Sequence, residues 1–194
     1  FPEAPMNKRY AVLISARNEA NVIGNLIDCL HSQTYPSELI DIWLVADNCT
    51  DNTAEEALKA GAVDLKETRQ GKGNVVRTMF RDIEAEVYLM VDGDDTYGLE
   101  TAPEMVRRVR EENVDMVIGD RLSGAYYTEN KRPFHNFGND LVRFQINRLF
   151  HANVKDVMTG YRAFSYRFVK TFAISSKGFE IETEMTIHAI DKRM

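Results

Sequence analysis

Four short apolar runs separated by longer amphipathic stretches constrain this chain more than any other feature. Tyr10 to Ala16, Ile40 to Ala46, Val87 to Val91 and Val114 to Gly119 have strand length and are largely apolar, as strands covered on both faces are. Between them, Glu19 to Ser32, Thr53 to Ala60, Lys72 to Ala85 and Glu100 to Glu112 read as helices. That alternation predicts an α/β fold with a mostly parallel central sheet flanked by helices. From about Asn136 onward, the pattern is helical with less strand signal. At 194 residues and 44% hydrophobic content, the chain suffices for one domain with a substantial core.

In an open parallel sheet, ligands collect where the chain leaves the carboxyl ends of the strands. Three polar clusters fall there: Ser15-Ala16-Arg17-Asn18-Glu19, Asp47-Asn48-Cys49-Thr50-Asp51 and Asp92-Gly93-Asp94-Asp95. Side chains alternate along an extended segment, so Asp92 and Asp94 point the same way, with Gly93 leaving room for a ligand between them. Two such carboxylates would repel a diphosphate unless Mg2+ or Mn2+ bridged them, so the pair is the expected metal site. An isolated acidic turn would have no such role; the apolar strand and the two companion clusters favour the functional reading. Asp47 and Asp51 are read both as caps for the helix near Thr53 and as acceptors for a base N–H, and Asn18 and Glu19 as N-cap and first-turn charge.

Gly71-Lys72-Gly73 is not a phosphate-binding P-loop, because Lys66 stands where the upstream glycine belongs and Asn74 replaces the Ser or Thr. It still offers a lysine and open N–H groups to an anion at a helix start. No G-x-G-x-x-G follows the first strand, which disfavours a dinucleotide dehydrogenase. Arg121, Lys131, Arg132, His135, Arg143 and Arg148 form a basic region, read either as a solvated face or as a phosphate or membrane-surface contact. The net charge of -6 carries no nucleic-acid footprint. Cys29 and Cys49 have no metal-ligand spacing, and a reducing compartment is expected. No run approaches the roughly 18 apolar residues of a membrane span. The chain starts at Phe1 and stops inside a helical pattern at Met194, as a fragment of a longer membrane-associated protein would.

These residues resemble the family-two inverting glycosyltransferases, whose fold is the glycosyltransferase-A type with a Rossmann-like nucleotide-binding first half. Ala16-Arg17-Asn18-Glu19 looks like that family's first nucleotide motif, Val45 to Asp51 like its base-binding loop, and Asp92-Gly93-Asp94 like its metal motif. Ala46 departs from the pattern, in which an acidic residue is common there. The resemblance implies a nucleotide-sugar site of Ala16, Arg17, Asn18, Glu19, Asp47, Asp92 and Gly93, to which the helix-start reading adds Lys72, with Asp94 on the metal and Asp92 toward the nucleotide.

The second half is similar to transferases acting on dolichyl or undecaprenyl phosphate, through Gly119-Asp120-Arg121, Arg132 to Asn136 and Asp156 to Arg162. In that subgroup Arg121, Arg132 and Asn136 are implied to hold the acceptor phosphate. Residues up to about 120 would then bind donor and metal, and the remainder the acceptor. The first half looks closer to membrane polysaccharide synthases. A phosphate acceptor is already anionic and needs no general base, whereas a sugar hydroxyl does. Thr183-Glu184 falls where synthases carry a Thr-Glu-Asp base motif, but Met185 replaces the aspartate.

The leading expectation is therefore metal-dependent transfer from a nucleotide diphosphate sugar, UDP before GDP, to a polyprenyl phosphate at the cytoplasmic membrane face. The alternatives are a polysaccharide synthase domain with Glu184 as base, a nucleotide-sugar binding module without turnover, and a nucleotidyltransferase. The last is disfavoured because no glycine-rich loop follows the first strand.

Overall fold

A computed structural model describes residues 10–33, 37–119 and 133–194. Strand β1 (Tyr10–Ala16) is the centre of the first half, with β2 (Ile40–Ala46) and β4 (Val87–Asp92) parallel on either side and β3 (Val63–Asp64) outside β2. Strand β6 (Arg162–Ser165) lies antiparallel to both β4 and β5 (Met116–Ile118), so the sheet order is β3-β2-β1-β4-β6-β5. The mostly parallel expectation holds for the first half, and β6 is the antiparallel addition that it lacked.

The sheet is covered on both sides because its strands alternate between two apolar sets. Val12, Ile14, Leu44, Leu89 and Val91 pack beneath α1 (Ile23–His31), α2 (Thr53–Lys59) and α4 (Ala102–Glu111). Ala11, Leu13, Val45, Tyr88 and Met90 face the opposite way, against α3 (Lys72–Asp82), α6 (Tyr166–Thr171) and α7 (Ile181–Lys192). Leu13 and Ile14 are both fully buried on opposite faces, and burial of each such side chain contributes about 1.5–3 kcal/mol. Helix α5 (Pro133–Phe150) packs against α7.

Helix α1 begins at Ile23, not at Glu19. Asn18 is left-handed, at φ 59°, which breaks helical geometry before the Glu19 carbonyl accepts from Val22 and Ile23. The cap expected of Asn18 is accordingly absent.

The short β6 is anchored by charged groups. Arg162 is fully buried, donating to the Thr159 and Val157 carbonyls at 2.9 and 2.7 Å and to Thr186 Oγ1 at 2.9 Å. At its other end, Ser165 Oγ donates to Asp115 Oδ1 at 2.6 Å and accepts from the Phe168 N–H at 3.0 Å, capping α6. Burial works to raise the Asp115 carboxyl, but Arg167 and Ser165 outweigh it and hold it below the usual range. A depressed acid contributes stability above its unfolded pKa and loses it as pH falls through the folded value. Asp115→Ala is therefore expected to cost about 2–3 kcal/mol in urea denaturation near neutral pH, and progressively less at about pH 3 and below.

Candidate donor-site crevice

The three polar clusters meet because the ladder of β1 continues one residue past the strands beside it. The Asp47 N–H donates to the Ala16 carbonyl at 2.8 Å and the Gly93 N–H to the Ser15 carbonyl at 2.9 Å. The ends of β1, β2 and β4 thus open onto one crevice of about 180 Å³, lined by Ala16, Arg17, Glu19, Asp47, Lys72, Asp92, Gly93 and Asp94. Of the expected donor-site residues, only Asn18 does not line it. Its Oδ1 instead accepts from the Thr50 N–H at 2.8 Å, tying the first loop to the second. Asp51 works alike, accepting from the Ala20 N–H at 3.2 Å and the Thr53 N–H at 3.1 Å. Asp47 caps nothing on α2; its Oδ1 accepts from the Gly71 N–H at 2.9 Å.

Two further expectations change. The space at Gly93 serves the protein rather than a ligand, because a Cβ there would lie 2.6 Å from the Ala16 Cβ. Glycine is what lets the acidic loop sit against β1. Nor is the start of α3 an open anion site. The Gly73 N–H donates to the Lys177 carbonyl at 3.0 Å, and those of Asn74 and Val75 to the Gly71 carbonyl. Lys72 is buried, with Nζ 2.5 Å from Asp92 Oδ1 and 2.6 Å from Glu182 Oε1. Burial works against its charge, but Asp92 and Glu182 outweigh burial and hold the ammonium above its ordinary range.

Asp92 is consequently the more fully engaged of the two aspartates. Besides Lys72, it accepts from Ser15 Oγ at 3.2 Å and Tyr97 Oη at 3.3 Å. Burial, and then the Asp92 charge, push the Tyr97 phenol up to about 12, so its hydroxyl stays a donor at neutral pH. Tyr97 also accepts from the Gly160 N–H at 3.0 Å, and a Cβ on Gly160 would collide with the Asp92 carboxylate. Asp94 is exposed and, among the described residues, bonded locally, accepting from Thr96 Oγ1 at 2.7 Å and its N–H at 3.3 Å.

Among the described residues, four carboxylates and two cations line the crevice, a net charge of -2 when all are ionised. Burial, then the charges of Asp94 and Asp51, push the Glu19 carboxyl above its usual range. Such a crevice favours a cation and repels a bare diphosphate. Among the described residues no three His, Cys, Asp or Glu side chains group as a metal site. The carboxylates that line the crevice suit Mg2+ or Mn2+, which commonly bind through one or two carboxylates with phosphate and water completing the shell.

On the expected acceptor side, Arg121 and Arg132 lie outside the described residues. Asn136 falls on α5, with its side chain outside them. Arg143 pairs with Asp140 at 2.9 Å. Glu184 does not line the crevice; its carboxylate accepts from the Ser175 and Ser176 N–H groups at 2.8 and 2.9 Å. Burial works to raise its pKa, but these bonds outweigh it and hold the carboxyl low, as suits a loop anchor.

Sequence reasoning missed Glu182, Tyr97, Gly160 and Phe179. The glutamate passes for an ordinary first-turn acid, and its partner Lys72 is 110 positions away. The Thr-Gly-Tyr-Arg run was the one available signal for Gly160.

The mixed sheet flanked by helices matches the glycosyltransferase-A class of fold, and the comparisons agree. Residues 11–172 match the model described as Glycosyl transferase family 2, and the chain belongs to that family, whose members are inverting glycosyltransferases.

Among its relatives, the Haloferax volcanii low-salt glycan biosynthesis hexosyltransferase Agl6 is 30% identical over 180 residues, covering 92% of this chain and 44% of that protein. The glycosyltransferase AglJ of the same organism is 31% identical over 184 residues, covering 94% and 59%. The chain thus spans about half the length of these two relatives. The glucosyl-3-phosphoglycerate synthase of Mycobacterium tuberculosis, solved with Mn2+, UDP-glucose and phosphoglyceric acid, has a TM-score of 0.75 at 19% identity, over 95% of this chain and 66% of that one.

Proposed function

We propose that this chain transfers a sugar from a nucleotide diphosphate sugar, UDP before GDP, to a polyprenyl phosphate at the cytoplasmic face of a membrane. The observation that carries the donor half is the crevice itself, with Asp92 neutralised by Lys72 and Asp94 left available beside it. Asp94 would hold Mg2+ or Mn2+, which supplies neutralisation of charge on the leaving diphosphate. Ala16, Arg17, Glu19 and Asp47 would receive the nucleotide, with Asn18 shaping their loop. An acceptor phosphate oxygen attacks the anomeric carbon as the bond to the nucleoside diphosphate breaks, and in-line attack inverts that carbon. In this reading residues up to about 120 serve donor and metal, joined at the crevice by Phe179, and the rest of the second half serves the acceptor.

Support for the acceptor is independent of the crevice. Glu184, the candidate base for a hydroxyl acceptor, is committed to two backbone N–H groups, and a phosphate acceptor needs no base. Leu141, Phe144 and Leu149 of α5 are exposed, and the same helix carries Arg148 and Arg143, the latter paired with Asp140. Apolar and basic side chains on one helix suit an anionic lipid surface. Among the described residues no helix is long and apolar enough to cross a membrane. The relatives named for glycan biosynthesis and hexosyl transfer agree with the chemistry.

Incubation of the chain with labelled UDP-sugars and undecaprenyl phosphate, with EDTA or excess Mn2+, tests this reading. An acid-labile, lipid-extractable product that forms only with metal is expected. Full turnover in EDTA would remove the metal role. Transfer to a saccharide hydroxyl, abolished by Glu184→Gln, would establish the synthase reading instead. Donor binding with neither transfer nor hydrolysis would leave a binding module.

A further inference from the structure

We propose that Phe179 is a stacking face for a ring of the sugar nucleotide, an inference that rests on the crevice being the donor site. Phe179 lines that crevice yet is 76% exposed. The other apolar side chains on the described walls are the small Ala16 and Val75. An aromatic ring held in water beside a polar site lacks the burial that normally stabilises it, and a flat ligand would supply it.

The segment before Phe179 is tied down from several directions, which fits a preformed platform. Arg77 Nη2 donates to the Ile174 and Ser176 carbonyls at 3.0 and 3.1 Å. Glu184 holds the N–H groups of Ser175 and Ser176. Glu180 Oε1 accepts from the Lys177 and Gly178 N–H groups at 3.2 and 3.1 Å. Glycine at position 73 lets the chain pass close, because a Cβ there would collide with the Ser176 carbonyl. The ring therefore rests on an ordered backbone and loses little freedom when a ligand arrives.

The ring's position also suits the donor. Lys72 Nζ lies 5.7 Å from its centroid and 2.5 Å from Asp92 Oδ1, so the ring stands beside the acidic floor of the crevice. A stacked carbon ring would approach to about 3.5–4 Å. A sugar nucleotide brings two rings that pack on an aromatic face: the flat base, and the C–H face of the hexose.

Titration calorimetry in Mn2+ separates them, using UDP and UDP-glucose with the wild type, Phe179→Ala and Phe179→Trp. The exposed position makes folding of the variants straightforward to verify by thermal melt. Phe179→Ala is expected to weaken UDP-glucose binding about five- to tenfold, with Phe179→Trp close to wild type. An equal loss for UDP assigns the base as the stacked ring. A loss confined to UDP-glucose assigns the hexose. Unchanged binding of both ligands by Phe179→Ala overturns the proposal while leaving the donor site standing. A wild type that binds neither ligand overturns the donor-site reading and this inference with it.

Discussion

Asp94→Asn is expected to lower transfer by about 10²- to 10³-fold while leaving the fold intact, because the affected carboxylate stabilises charge on the leaving group rather than the protein. The side chain is exposed and, among the described residues, its hydrogen-bond partners are Thr96 Oγ1 and N–H, two residues away. Its charge also raises the neighbouring Glu19. Removing that charge relieves a like-charge interaction, so the melting temperature of the metal-free protein should hold or rise slightly. Steady-state transfer over a Mn2+ titration, with a thermal melt of the same preparations, checks both parts. Loss of activity accompanied by a large drop in melting temperature would mean that Asp94 is structural.

Lys72→Met is expected to act the other way, through stability first. The substitution leaves the Asp92 and Glu182 carboxylates facing each other across the space the ammonium filled. Breaking a buried pair by removing one partner typically costs about 3–5 kcal/mol. Urea denaturation should show that loss, and adding Glu182→Gln should recover part of it by removing one uncompensated charge. The pH dependence has a definite sign. Because the carboxylates raise the Lys72 pKa above its unfolded value, the contribution is complete below the ordinary lysine range. It is lost only as pH climbs through the raised value. A Lys72→Met protein as stable as wild type at neutral pH would show that the pair contributes no net stability.

The same contrast explains how much was legible from the residues alone. Strands β1 and β2 match their expected bounds because each is an apolar run cut off by a polar motif, so local chemistry and tertiary role coincide. The three clusters at the strand ends were legible for the same reason. Strand β6 was not, since it is four residues long and opens with Arg162, a residue that reads as surface and is fully buried. Asn18 and Asp47 look like helix caps in isolation, and only the packing of three loops shows them bonding to Thr50 and Gly71. Glu182 depends on a partner in the other half of the chain, which no local pattern reveals. Residues that hold one loop to another look like caps or surface charges in the sequence, because the partner that defines them lies on a different loop.

The metal-assisted donor site is tested most directly by the affinity for UDP, measured by calorimetry in Mn2+ and again in EDTA, on the wild type and Asp94→Asn. A crevice whose described lining has more carboxylates than cations predicts that UDP binds at least about tenfold more tightly with Mn2+, and that Asp94→Asn removes most of the difference. Equal affinity in Mn2+ and EDTA would contradict it.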